Sequence, residues 1–436
     1  MEPATKVQGF DEEALSALSS STLFVEALRK QALEEFLALP IPSQETEEWR
    51  YTDLSDLYLS FAPFAPGGDA ESLNRGKILQ AAGVVGERAG LQIQRNSEVV
   101  STQLTEGLGA KGVIFGDLDR AAEEHPELVE PHLHALVPTS RTKFTALHGA
   151  FRTGGTFLYV PPAVTVELPL QTLTYLDADG AAVFPHTLIV VGQDAEVTFI
   201  DRYVSPALSR ALSVGITEIH AGAASRVRYV SIQEWGDGVT HLGVQRARTG
   251  RDTELRTVAI GFGASLARAE AETELAEPGG FSEMLGVFFA DGTQHFDHRS
   301  LQDHVAPNCK SDLLYKGALK GESRAVYSGW VHVRPDAQKT DAMQTSRNIV
   351  LSDRAKADAI PNLEIEANDV RCGHAASVGP VEEEQVFYLQ SRGIRRDEAE
   401  RLIVFGFFQE VLDRITLEEV RDSVSHAIEQ ELAGEG

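Results

Sequence analysis

Short β-branched and aromatic runs follow one another through the middle of the chain, at 156–160, 170–175, 187–191, 197–200, 226–232, 326–333 and 362–366. Gly, Asp, Asn, Ser or Pro bounds each run, which is the pattern of strands and turns. From about residue 141 to 392 the pattern predicts no amphipathic helix of ordinary length. Several strands share one way in: a Gly/Asp/Ala turn leads into an alternating run. Gly192-Gln193-Asp194-Ala195-Glu196-Val197 is the clearest case, and similar turns open near 222, 250, 321 and 352. The starts at 192, 222 and 250 are nearly evenly spaced, and the step from 321 to 352 is of similar length. A recurrence of about 30 residues without helices predicts stacked coils of a β-helix, with a large β-sandwich or jelly roll as the alternative. A stack of coils has edges that must be paired or covered, so it predicts a partner at its end.

The two ends of the chain read differently. Leu15, Leu18, Val25, Leu28, Leu33 and Phe36 recur at helical spacing over 11–39, and Pro40 and Pro42 close that stretch. Residues 60–69 read as a Pro/Gly-rich loop. Residues 70–140 look mixed, with strands near 89–95 and 112–116 and a helix over 118–136. After residue 396 helical spacing returns. Asp397-Glu398-Ala399-Glu400 and Thr416-Leu417-Glu418-Glu419 both have the form of a capping box. Leu402, Ile403, Phe405, Phe407, Phe408, Val411 and Leu412 cover more than one face of the first of these helices. Such a helix is either wedged against its own core or docked to another chain. The expected organisation is an N-terminal helical and mixed region over 1–140, a β core over 141–392 and a C-terminal helical region over 393–436.

Composition narrows the function classes. The 436 residues are 42% hydrophobic and 24% charged, which fits a folded chain. A formal net charge of -26 repels phosphate backbones, so nucleic acid is not an expected partner. Arg395-Arg396 is the nearest thing to a basic patch. Cys309 and Cys372 are the only cysteines, too few for a disulfide framework. Residues 1–10 lack the basic start and apolar core of a signal peptide, and no apolar run approaches a membrane span. A cytoplasmic protein with reduced thiols is the expectation.

Cys372-Gly373-His374 is the sharpest chemical signal. It follows an alternating run at 362–370, and continuation of that strand would place residues 372 and 374 on one side. A thiolate and an imidazole together suit a soft metal, but a cluster normally takes four ligands, and an ordinary strand pair explains the spacing as well. His295-Phe296-Asp297-His298 with Asp303-His304 has metal-like composition, yet alternation splits it between two faces. Cys309 lies close by, so His304 and Cys309 stand as weaker candidates. Three motifs are absent: a phosphate-binding loop ending in Lys-Ser/Thr, a Gly-x-Ser-x-Gly elbow, and a Cys-x-x-Cys pair.

Four stretches in order resemble the SufB/SufD family of iron–sulfur cluster assembly scaffolds, over roughly residues 45 to 415. They are Glu47-Glu48-Trp49-Arg50-Tyr51-Thr52; Lys143-Phe144-Thr145-Ala146-Leu147-His148 with Gly155-Thr156-Phe157-Leu158-Tyr159-Val160-Pro161; Lys339-Thr340-Asp341 with Asn348-Ile349-Val350-Leu351-Ser352; and residues 361–394. The resemblance implies a right-handed parallel β-helix flanked by helical regions. It implies pairing with SufB through the β-helices, and binding of the SufC ATPase through the C-terminal helices. A desulfurase system would supply sulfur indirectly, and flavin is associated with the family's complex. The cysteine important in SufB falls near Ser346 here, a far poorer soft-metal ligand. The Cys-x-His arrangement of the SufD branch is matched by Cys372 and His374.

The resemblance thus implies a non-catalytic scaffold that shares a transient cluster with SufB at His374, with Cys372 as a second candidate, and binds no stable cluster alone. It leaves open a homodimer when SufB is absent. The alternatives are a carbohydrate-active β-helix enzyme using Asp297, Asp303 and Asp312, and a purely structural partner.

Overall fold

The computed structural model describes residues 7–18, 22–68 and 86–433. The expected strands become eight successive coils, each giving one strand to each of two ten-stranded sheets. The first coil holds Thr156–Val160 and Leu170–Tyr175, and the last holds Lys356–Ile365 and Arg371–Pro380. Neighbouring coils pair in parallel and in register. In one sheet Glu196, Arg226, Glu254, Phe281, Lys310, Asp341 and Arg371 stand side by side. The steps between them are unequal, shortest from Glu254 to Phe281 and longest from Lys310 to Asp341, which is why the recurrence in the sequence is imprecise.

Two corners turn each coil. At one, Ala163, Asp194, Ala224, Asp252, Gly279, Asn308 and Lys339 all have positive φ. Their backbone N–H groups bond the next coil, as in Asp194 N to Ala223 O at 2.9 Å and Asn308 N to Gln338 O at 2.9 Å. Gly, Asn and Asp suit that backbone and hold four of the seven positions, which explains the Gly/Asp part of the signature, while Ala163, Ala224 and Lys339 adopt it against the usual preference. The turns near 321 and 352 belong to the opposite corner, where Gly321 N bonds Ser352 Oγ at 2.8 Å. The two sequence series therefore mark two corners of one coil.

Inside the stack, large and small residues alternate between coils. A Cβ on Gly286 would lie 2.3 Å from the Tyr315 ring, and one on Gly317 2.1 Å from the Phe288 ring. Each glycine leaves room for the ring one coil away. Antiparallel strands close the starting end. Glu98–Leu104 pairs with Gly90–Arg95, and Ile114–Asp117 pairs with Thr156–Val160. The stack thus takes in strands on both sides of residue 141.

Several expectations need correction. Residues 118–136 do not form one helix. Leu118–Glu124 and Pro126–Val129 are separate, because Pro126 cannot continue the first and instead opens the second. The expected helix at 11–39 is Glu12–Ser16 and Leu23–Ala38, with residues 19–21 outside the described set. Part of the mixed region, 69–85, also lies outside it. Helices occur within 141–392 after all, at Lys143–Phe151 and Glu383–Ser391. The first leaves no trace in the hydrophobic pattern because every one of its residues is buried, so it has no polar face for periodicity to report. The Asp397 capping box does not form. The helix Arg396–Leu412 starts two residues earlier than that box would place it, at an Arg395 cap without a side-chain bond, and Asp397 pairs with Arg395 instead.

The flanking segments are fastened to the stack by specific contacts. The motif at 47–52 begins with a 3-10 turn, Glu47–Trp49. Arg268 lies 4.0 Å over the Trp49 ring and donates to Glu48 O at 2.8 Å. Thr52 Oγ1 donates to buried Asp297 at 2.5 Å. At the other end, helices Arg396–Leu412 and Glu418–Ala433 pack Val404, Phe408, Val411, Val420, Val424 and Ile428 with sheet residues including Val258, Leu285, Val287 and Leu314.

Candidate functional site

Strand Arg371–Pro380 pairs on one side only, with Asp341–Val350. The alternating run at 362–370 does not continue into it. Strand Lys356–Ile365 ends, the chain turns a corner, and a new strand in the other sheet carries Cys372-Gly373-His374. Cys372 and His374 still share a side, two positions apart on one strand.

That side is set by the coil beneath. Ala342, Gln344, Ser346 and Asn348 are buried, while Asp341, Met343 and Arg347 are exposed. The buried set points along the inside of the stack. Cys372, His374, Ala376 and Val378 are their register partners, so they crown the interior where no further coil covers it. Cys372 is half-buried against Val331, Val333, Ala342 and Leu363, and burial pushes its thiol up. His374 is exposed above Gln344. Both amide atoms of Gln344, Ser346 Oγ and Asn348 Oδ1 are buried without a hydrogen-bond partner, as are both amide atoms of Gln302. An open coil end with unpaired polar atoms below it is suited to receive a further polar or metal-bearing partner.

The other predicted residues are placed elsewhere. His304 is fully buried, with Nε2 2.8 Å from Ser311 Oγ, and burial lowers its pKa to about 4. The buried Cys309 thiol donates weakly to Glu277 O at 3.4 Å, and burial pushes its pKa up. Cys309 precedes Lys310, two coils below Arg371 in register, or about 10 Å at the usual strand spacing. The structure therefore does not bring His304 and Cys309 into the Cys372–His374 end. The His295–His298 cluster is also dispersed. Asp297 pairs with Arg268 at 2.5 Å and Arg299 at 3.1 Å, and His298 stacks on Phe288 with centroids 4.7 Å apart.

Among the proposed docking residues, Phe408 and Val411 are fully buried in the chain's own core, which removes them from any docking face. Phe407 is partly buried and its ring lies 4.7 Å from the Lys316 ammonium. Leu402 is exposed, Ile403 and Phe405 are partly so, and Phe387 and Tyr388 on the preceding helix are among the most exposed large side chains. Arg395 and Arg396 pair with Asp397, Glu383 and Glu400, so they form no free basic patch.

Sequence reasoning missed two groups that could hold an ion. His332, Glu364 and Glu366 lie together at the surface, beside a cleft of about 670 Å³ that Trp49, Arg141 and Trp330 also line. His134, His148 and His186 lie together inside the molecule. Neither group carries a local sequence signal, because the members come from different coils or segments. No helix among the described residues is long and apolar enough to cross a membrane.

Comparison with known proteins identifies the family. The family description "SUF system FeS cluster assembly, SufBD core domain" matches residues 174–407, and "SufBD protein N-terminal region" matches 6–172. The iron–sulfur cluster assembly protein SufD of Bacillus subtilis is 31% identical over 97% of this chain and 98% of its own length. A SufBD family protein of Mycobacterium leprae is 37% identical over 68% of this chain and 76% of its own. SufB of Bacillus subtilis is 30% identical over 76% of this chain and 71% of its own. The chain therefore belongs to the SufB/SufD family of SUF-system iron–sulfur cluster assembly proteins, in its SufD branch.

Proposed function

We propose that this chain is the SufD-type scaffold subunit that pairs with a SufB-type partner through its open coil end and offers His374 to a cluster being built there. The observation that carries the reading is the crowned interior: His374 sits over unpartnered Gln344 and Cys372 over Ala342, with unpartnered Ser346 next along the same face, at the uncovered end of the stack. A partner coil added to strands Lys356–Ile365 and Arg371–Pro380 would pair their free backbone edge. The iron–sulfur cluster is cargo here. Neutral imidazole can take a transient metal bond or move a proton, whereas Ser346 offers only a hard, weak ligand at the position where SufB has its cysteine.

The ATPase subunit would dock on the exposed remnant of the C-terminal helical face, formed by Leu402, Ile403 and Phe405 with Phe387 and Tyr388. The sugar-enzyme alternative has little support. Asp297 and Asp303 are tied to Arg268, Arg299 and Arg334, and Asp312 to Arg414, so these carboxylates serve as ion-pair partners.

The test is cluster assembly by the three-component complex with His374→Ala. Assembly should fall at least about tenfold while the complex still elutes intact. Unchanged assembly would reduce the chain to a structural partner.

A further inference from the structure

His134, His148 and His186 come from three separate segments of the chain, yet their rings meet with centroids 5.1 to 5.4 Å apart. His134 lies in the turns after Pro126–Val129, His148 on helix Lys143–Phe151, and His186 at the start of strand His186–Val191. They are 7%, 0% and 1% exposed. Each can offer one ring nitrogen within 4.8 Å of those of the other two.

Their tautomers follow from their neighbours. His134 Nδ1 is 2.9 Å from Val137 O, and a carbonyl oxygen can only accept, so Nδ1 carries the hydrogen. His134 Nε2 is then a bare lone pair, and it has no partner. His148 Nε2 likewise donates to Pro185 O at 3.3 Å, which leaves Nδ1 bare and unpartnered. His186 has no hydrogen bond at either nitrogen. Its Nε2 stands 3.2 Å from Glu218 Oε2 without hydrogen-bond geometry. Buried lone pairs without a donor are costly, and two of them belong to this one group of rings. A ring with one N–H anchored on a carbonyl and the other nitrogen free is the form a metal-binding histidine takes.

The surroundings fit a cation. Glu218 is fully buried and accepts from the backbone N–H of His134, Leu136 and Val137 at 2.7, 2.6 and 3.0 Å. The positive φ of 57° at His134 belongs to the same tight turn. The positive side chain that acts on all three rings, Arg152, is paired with Asp119 at 2.8 Å.

We propose that His134, His148 and His186 bind one divalent transition metal of the zinc class, with the Glu218 carboxylate beside it balancing its charge. Three imidazoles suit zinc in chemistry and supply three of its usual four ligands. The role is structural, since the group is sealed from solvent. The ion ties the 130–137 turns, the buried helix and the second coil together at the starting end of the stack. The site is independent of the open end that carries Cys372 and His374.

The experiment uses the full chain without an affinity tag, carrying Cys372→Ser and His374→Ala so that neither can contribute ligands. The chain is stripped with chelator, then exposed to zinc or cobalt(II) alone. One zinc per chain by elemental analysis is expected. Cobalt should give the visible bands of nitrogen and oxygen ligation without a thiolate charge-transfer band, and zinc should raise the Tm. His148→Leu should weaken zinc binding by more than about 100-fold. If His148→Leu fails to fold, the response of the parent chain decides. A parent that takes up no stoichiometric zinc and whose Tm ignores both zinc and chelator overturns the proposal. So does undiminished binding by a folded His148→Leu.

Discussion

Asp297 shows how a single buried charge is kept where no solvent reaches it. Its carboxylate takes Arg268, Arg299 and the Thr52 hydroxyl, and Arg268 reaches on to Trp49 and Glu48 O. Asp297→Asn removes one of the two carboxylates that Arg268 is buried against and leaves Glu270 as its remaining ion-pair partner. A loss of about 2 kcal/mol in urea-unfolding stability is expected, the usual worth of a hydrogen bond to a charged group. Buried histidines set the response to acid. Burial holds His241, His298 and His304 at about 4, below the ordinary 6.5. The unfolded chain therefore binds these protons first. Stability is full above about pH 6.5 and falls as pH drops from there toward 4. The urea midpoint should fall steadily across that window, and His298→Phe should make the fall shallower. Cys372-Gly373-His374 was legible because its members are neighbours on one strand. His134, His148 and His186 were not, because only the packing of three separate segments joins them.

Elements tell a similar story of which signals survive packing. The strands and corners were legible because alternation recurs along the stack and a positive-φ corner residue recurs in seven of the eight coils. Helix Lys143–Phe151 was not, because burial on all sides removes the polar stripe. The helix Arg396–Leu412 left two readings open, its own core or another chain, and the structure gives it one buried and one exposed side. Phe408 and Val411 face the sheet, and Leu402 faces solvent. Phe408→Ala should cost about 3–5 kcal/mol, the usual cost of truncating a buried phenylalanine. Leu402→Ala should change stability by less than about 0.5 kcal/mol and weaken ATPase docking instead. Thermal unfolding and a binding measurement on the same two variants separate the roles. If Leu402→Ala destabilises the isolated chain as much as Phe408→Ala, the division of faces is wrong.

At the scale of the whole molecule the two ends of the stack are unlike. Antiparallel strands close the first, and the last ends on bare strand edges with Ile365 and Val378 at 42% and 44% exposure. Both are register partners of buried residues, Val333 and Asn348, so a coil added above would bury them in turn. An open apolar mouth of this kind is unusual for a chain that works alone, since strand edges invite pairing. Lysine at both positions is tolerable in the isolated chain, where the side chains reach water. It is costly in a continued stack, where two ammonium groups would lie inside the partner's interior without counter-charges. The Ile365→Lys, Val378→Lys chain should therefore unfold at the same urea concentration as its parent to within about 0.5 kcal/mol of stability. Association with the SufB-type partner, measured by light scattering, should be lost. A complex that forms undiminished with both lysines would mean that the partner binds another face, and that His374 lies outside the shared interface.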